Sequence, residues 1–247
     1  MHYLFFPFLM LIMVMFSGAA VAKDSVEKVS TYVCADFDVE LYRQANGPVT
    51  FQRVMMAVPH SMNGKAPCVV VPFYFSEAML GFNPVDGSFA SGLASAGTNL
   101  TFYAGISYMS DLVKRGYVTI SADAYHLTYR NGCAEPRVSP PDCGMSPWRC
   151  AAKALNADWL DWSGIGKLVF DTRLLVDLAQ ADARIDAKRI GMIGHSMGCK
   201  MAFCAGMTDN RVKVVVASDF GLGWTQINWD ADWYWGGRLA DMRAQGL

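Results

Sequence analysis

The chain has 247 residues, 53% hydrophobic and 17% charged, which is ample apolar material for one good-sized domain with its own core. Lys and Arg number 21 against 22 Asp and Glu, a net charge of -1. With no basic stripe either, nucleic acid is argued against as a partner. No internal repeat or low-complexity tract stands out.

Tyr3 to Phe16 is an apolar run, and Ala20-Val21-Ala22 behind it is a small-x-small cleavage site. Residues 1–22 are therefore expected to be a signal peptide, the mature chain starting at Lys23 and being secreted or periplasmic, with no stable membrane association after cleavage. No Lys or Arg precedes the run, and Tyr3 to Ala22 is long enough to span a bilayer, so an uncleaved anchor is the alternative. Export permits disulfides. Cys133, Cys143 and Cys150 crowd one Pro-rich loop, where two of them could form a staple. Cys68, Cys199 and Cys204 fall in apolar segments and read as small core residues. No cysteine spacing suits zinc, and no metal or cofactor is implied.

Val33 to Tyr42 and Thr50 to Val58 read as two early strands, and Pro59 to Gly64 as a turn. Cys68 to Phe75 is a short continuous apolar run, the pattern of a central strand buried on both faces. A long Gly/Ser/Ala-rich loop follows over Gly81 to Thr98. Phe102 to Arg115 reads as a helix ending at Gly116, and Tyr117 to Ser121 as the next strand. Asp123 to Trp159, rich in Pro and Cys, is a candidate lid or substrate-binding loop. Ile165, Leu168, Val169, Thr172, Leu175, Val176 and Ala179 recur at helical spacing.

Arg189 to Gly198 organises the rest. It reads as a buried strand running into a tight turn, then an apolar helix from Met197 to Met207. Gly194-His195-Ser196-Met197-Gly198 fits the G-x-S-x-G nucleophile elbow. The residues two before and two after the nucleophile must lack a Cβ to avoid their neighbours, and the amide of Met197 can face a developing oxyanion. Val212 to Ala217 reads as a further buried strand. Strands alternating with helices give an α/β class, a mostly parallel sheet with helices on both faces.

Lys114-Arg115-Gly116-Tyr117-Val118 into a strand ending at Asp123, Asp182 to Asp186 into Arg189-Ile190-Gly191, and the elbow itself resemble the α/β-hydrolase superfamily. The likeness is narrowest to its dienelactone-hydrolase-like and acetyl-xylan-esterase-like branch, and it covers Thr50 to the C-terminus. The resemblance implies a serine esterase, because the dienelactone hydrolases proper carry cysteine where this chain has Ser196. It also implies a triad in the order Ser, acid, His, with an acyl-enzyme and no cofactor. Asp219, after the strand at Val212 to Ala217, is the candidate acid. The second oxyanion amide falls at Phe73, Tyr74 or Phe75, with Tyr74 as the choice. His126, Phe73 and Trp224 are candidate pocket residues, and Trp229, Trp233, Tyr234 and Trp235 an aromatic lining. Lys200 either touches a substrate hydroxyl or is solvated, the latter preferred.

The expected substrate is a small-molecule or carbohydrate ester. One departure is plain: no histidine follows Ser196, and after Ala217 no further strand-like run is found. The expectation is therefore a hydrolase domain over 23–247 that lacks the family's last strands. His60 is expected at the far end of the sheet and His195 to point away from the nucleophile. An inactive hydrolase-like fragment or binding scaffold, and a peptidase of the prolyl-oligopeptidase type, are the alternatives.

Overall fold

The computed structural model describes residues 26–47, 50–82, 87, 107–129, 147–160, 162–219, 227–235 and 238–246. The leader, most of the loop after Gly81, Cys133, Cys143 and Trp224 lie outside these residues.

Seven strands form one mixed sheet: β1 (Val26–Val33), β2 (Phe37–Ala45), β3 (Phe51–Pro59), β4 (Ala66–Val70), β5 (Val118–Ala122), β6 (Ile185–His195) and β7 (Val212–Ser218). Their order across the sheet is β1-β2-β3-β5-β4-β6-β7. The β1–β2, β2–β3 and β3–β5 pairings are antiparallel, whereas β5–β4, β4–β6 and β6–β7 are parallel. The sheet is thus an antiparallel wing joined to a parallel half. The parallel half carries the elbow.

Four readings change. Two concern extent: the strand read over Cys68 to Phe75 is Ala66–Val70, and Asp123 to Trp159, read as a loop, holds the helices Tyr125–Thr128 and Pro147–Asp158. The other two concern kind. Val33 to Tyr42 is not one strand: it spans the end of β1, a turn at Cys34–Asp36 and most of β2. β1 is an exposed strand paired only with β2, and its apolar residues Val26, Val29, Tyr32 and Val33 do not alternate, so it lacks the period of two that marks a strand in sequence. Second, β7 is apolar but not buried: Val214 is 61% and Val216 49% exposed.

Helices α1 (Tyr108–Val113), α2 (Tyr125–Thr128), α3 (Pro147–Asp158), α4 (Gly164–Ala181), α5 (Met197–Thr208), α6 (Asp232–Trp235) and α7 (Leu239–Ala244) pack on two faces. Strand alternation separates the faces. In β3, Val54, Met56 and Val58 join the larger core with α3, α4 and α5, while Met55 and Ala57 join a second core with Met109 and Val113 of α1. Ser163 caps α4 by accepting from the Gly166 N–H at 3.0 Å. Gly116 ends the turn after α1 at φ +88°, a conformation that glycine adopts without strain. The parallel strands all end at one edge of the sheet, at Ala122 and His195 among others, and the candidate site lies there.

Candidate active site

β6 runs straight into Ser196, whose backbone sits at φ 54°, ψ −118° before α5 begins at Met197. A non-glycine residue there is strained, and such strain persists only where the surroundings impose it. The surroundings are close. A Cβ on Gly194 would run into the Gly198 carbonyl, and one on Gly198 into the Pro72 carbonyl. Both glycines are therefore dictated by contact, as the elbow spacing predicts. The Ser196 N–H donates to the Ser218 carbonyl at 3.2 Å, which ties the turn to β7. The Ser196 side chain makes no capping bond to α5, so its hydroxyl is not spent on the helix. Met197 is the first residue of α5, and its N–H is among those that helix geometry leaves without an intrahelical acceptor.

The segment after β4 closes over the elbow. Tyr74 is half-buried, and its phenol lies close enough to the Ser196 hydroxyl for that group to bear on its ionisation. Burial pushes the Tyr74 phenol up, and the nearby Ser196 hydroxyl opposes that shift only in part. The segment is pinned from beneath by a buried ion cluster. Arg53 of β3 donates to Glu77 at 2.7 Å and pairs with Asp123 at 3.0 Å. Asp123 accepts from both the N–H and the hydroxyl of Ser76 at 2.9 Å, and the Ala124 N–H donates to the Tyr74 carbonyl at 3.1 Å. The sequence reading missed this cluster. Its one signal was a lone Arg in the apolar run of β3, where an unpaired charge is not tolerated.

Phe73 does not wall an accessible pocket. It is fully buried in the second core, edge-on to Tyr74 at 5.0 Å. His126, on α2, is 1% exposed and lies against Trp148 of α3 at a ring-centroid distance of 3.3 Å. Burial holds its pKa well below the ordinary histidine value, so the ring is uncharged. Tyr74, Tyr125, Trp148 and Trp233 complete an aromatic cluster around it.

Lys200 is not solvated. It is 1% exposed, with Nζ 5.0 Å from the Trp229 ring centroid and 5.7 Å from that of Tyr234. Burial lowers its pKa, and the Asp219 carboxylate opposes this. Trp229 and Trp235 are buried rather than lining an open surface. Asp219 follows β7 at φ 55°, is exposed, and stands close enough to Lys200 and Cys199 to act on their charges.

The histidines fall as expected. His60 is at the edge of the sheet opposite the elbow, paired with Asp38 at 2.8 Å, and His195 Nδ1 meets the Ser218 hydroxyl at 3.2 Å. Cys150 is disulfide-bonded, in the segment where a staple was expected, while Cys34, Cys68, Cys199 and Cys204 are free. Among the described residues, no cluster of His, Cys, Asp and Glu could hold a metal ion, and no helix is long and apolar enough to cross a membrane.

No family model matches the chain. A protein of Bacillus subtilis (strain 168), provisionally named hydrolase YtaP, is 24% identical over 152 residues, covering 62% of this chain and 43% of that one. A Bacteroides fragilis NCTC 9343 structure, provisionally described as an acetyl xylan esterase, superposes with a TM-score of 0.66 at 14% identity, over 85% of this chain and 51% of that one. A glucuronoyl esterase from Solibacter usitatus gives a TM-score of 0.64 at 14% identity, over 96% of this chain and 66% of that one. The fold is that of the α/β-hydrolases. The chain spans about half the length of the first of these structures and less than half of YtaP. In α/β-hydrolase terms, β6, Ser196 and α5 form the strand, turn and helix of the elbow, and the Arg53–Glu77–Asp123 cluster supports the facing loop.

Proposed function

We propose that the protein is an exported serine hydrolase of carboxylic esters, with a carbohydrate ester as substrate. The observation that carries this is Ser196: a strained residue at the tip of the elbow, its hydroxyl free of the helix and near the phenol of Tyr74. The names of the structural neighbours support the substrate class. Export rests on the residues up to Ala22.

In this reading, Ser196 Oγ adds to the ester carbonyl carbon while its proton passes to a base. The Met197 N–H, backed by the positive end of α5, meets the oxyanion together with a donor from the segment at Tyr74. The carbon–oxygen bond to the alcohol breaks, the alcohol leaves carrying a proton, and water then hydrolyses the acyl-serine. Asp219 is the acid proposed to orient a base. The chain's own imidazoles are poorly placed for that base: His195 meets Ser218, His60 is at the far edge and His126 is turned to Trp148. Turnover by this chain is therefore slow, since an unassisted serine hydroxyl is a weak nucleophile near neutral pH.

The test is p-nitrophenyl acetate with wild type and Ser196→Ala, read by release of nitrophenol and by intact mass. Slow cleavage with one acetyl group on Ser196, absent in the variant, is expected. Identical behaviour of the two proteins overturns the reading and favours a binding scaffold, which the placement of the histidines also suits.

A further inference from the structure

His126 is a polar side chain without polar company. It is 1% exposed, and among the described residues neither ring nitrogen has a hydrogen-bond partner. Its neighbours are aromatic faces and edges: Trp148 at 3.3 Å between ring centroids, Tyr125 at 5.3 Å and Tyr74 at 6.4 Å. A histidine serving only to fill this space would leave two buried nitrogens unbonded, a cost that a phenylalanine avoids. The placement is informative as well. Tyr74 lies between the two features: its ring meets His126 edge-on, while its phenol is near the Ser196 hydroxyl, on the segment that closes over the elbow. Trp148 is half-buried and covers the imidazole, with Trp233 behind it at 5.9 Å.

Resting on the ester-hydrolase reading above, we propose that His126 is a specificity residue of the Ser196 site: it binds a hydroxyl on a ring of the substrate, and that ring packs against Trp148, which moves to admit it. The chemistry selects this ligand over its competitors. Burial keeps the imidazole uncharged, so it offers one N–H donor and one bare nitrogen acceptor. A hydroxyl both donates and accepts, and satisfies either nitrogen. A carboxylate only accepts and would be buried among aromatic rings, because the Lys200 ammonium is held over Trp229 and Tyr234 and Asp123 is engaged by Ser76 and Arg53. An apolar ring leaves the nitrogens unbonded.

The experiment uses the full chain with ring-¹⁵N histidine and two probes, methyl β-D-xylopyranoside and 2-methoxytetrahydropyran, the same ring without hydroxyls. Titration with the xyloside shifts the His126 ring nitrogens and saturates, and the hydroxyl-free ring does not. His126→Phe weakens xyloside binding about tenfold or more, and His126→Gln, which keeps a donor and an acceptor, recovers most of it. Equal shifts from the two rings, an unmoved His126, or a Phe variant that binds like wild type overturns the proposal. If both variants lose their near-UV circular dichroism, the wild-type comparison of the two rings decides. Acetylation of Ser196, measured on the same preparation, separates the two readings. Acetylation without xyloside binding overturns the subsite alone, and binding without acetylation overturns the ester-hydrolase reading while the subsite stands.

Discussion

Ser196 and His126 are both residues the fold would be more stable without, and each makes its own prediction. Ser196 holds a backbone conformation that suits glycine. Ser196→Gly and Ser196→Ala both remove the hydroxyl, but only the first relieves the strain. The glycine variant is expected to be more stable than the alanine variant by about 1 kcal/mol in urea unfolding, the reverse of the usual order at a surface position. His126 acts through its proton. Its folded-state pKa lies below the unfolded value, so the unfolded chain binds a proton that the folded one refuses. The folded state is thus favoured fully above about pH 6.5 and loses stability as the pH falls below it. His126→Phe should flatten the stability profile between about pH 7 and 5, and an unchanged slope would place the protonation elsewhere.

Among the elements, those with strict apolar periodicity were legible in the sequence. The elbow helix and α4 stand within a residue or two of where patterning puts them, and the elbow strand ends where it is read to end but begins four residues earlier, at Ile185. What was not legible depends on partners distant in sequence. β1 has no apolar alternation and takes its place only by pairing with β2, and the burial of Lys200 depends on Trp229 and Tyr234 arriving over it. Helical spacing puts Lys200 one turn past Ser196 but says nothing of what covers it. The docking of α6 depends likewise on a glycine. A Cβ on Gly164, at the start of α4, would collide with the Trp233 carbonyl, which also accepts from the Tyr125 hydroxyl at 3.1 Å. Gly164→Ala is expected to cost about 1–3 kcal/mol and to lower the thermal midpoint, because the collision is with backbone that cannot rotate aside. A neutral result would mean that α6 is only loosely held against α4.

For the whole molecule, the sheet is unevenly dressed. Val214 and Val216 project from β7 at 61% and 49% exposure, beside a cavity of about 470 Å³ that Val69, Leu112 and Ile193 also line. An apolar strand presented in this way invites association. Val214→Lys with Val216→Lys should raise the concentration at which the protein stays monomeric, read by light scattering, while leaving the thermal midpoint nearly unchanged. A fall of several degrees would show that β7 is covered in solution. At the opposite extreme is Arg53. Its guanidinium belongs to the antiparallel wing, whereas Glu77 and Asp123 belong to the segments that shape the site. The two halves of the sheet consequently share one buried charge balance, and neither can open without uncovering ions from the other. The amides of the segment around Ser76 should therefore exchange with deuterium only as slowly as the strands do, so that the rim of the candidate site, the kind of place ordinarily among the first to breathe, lasts here until the whole domain unfolds.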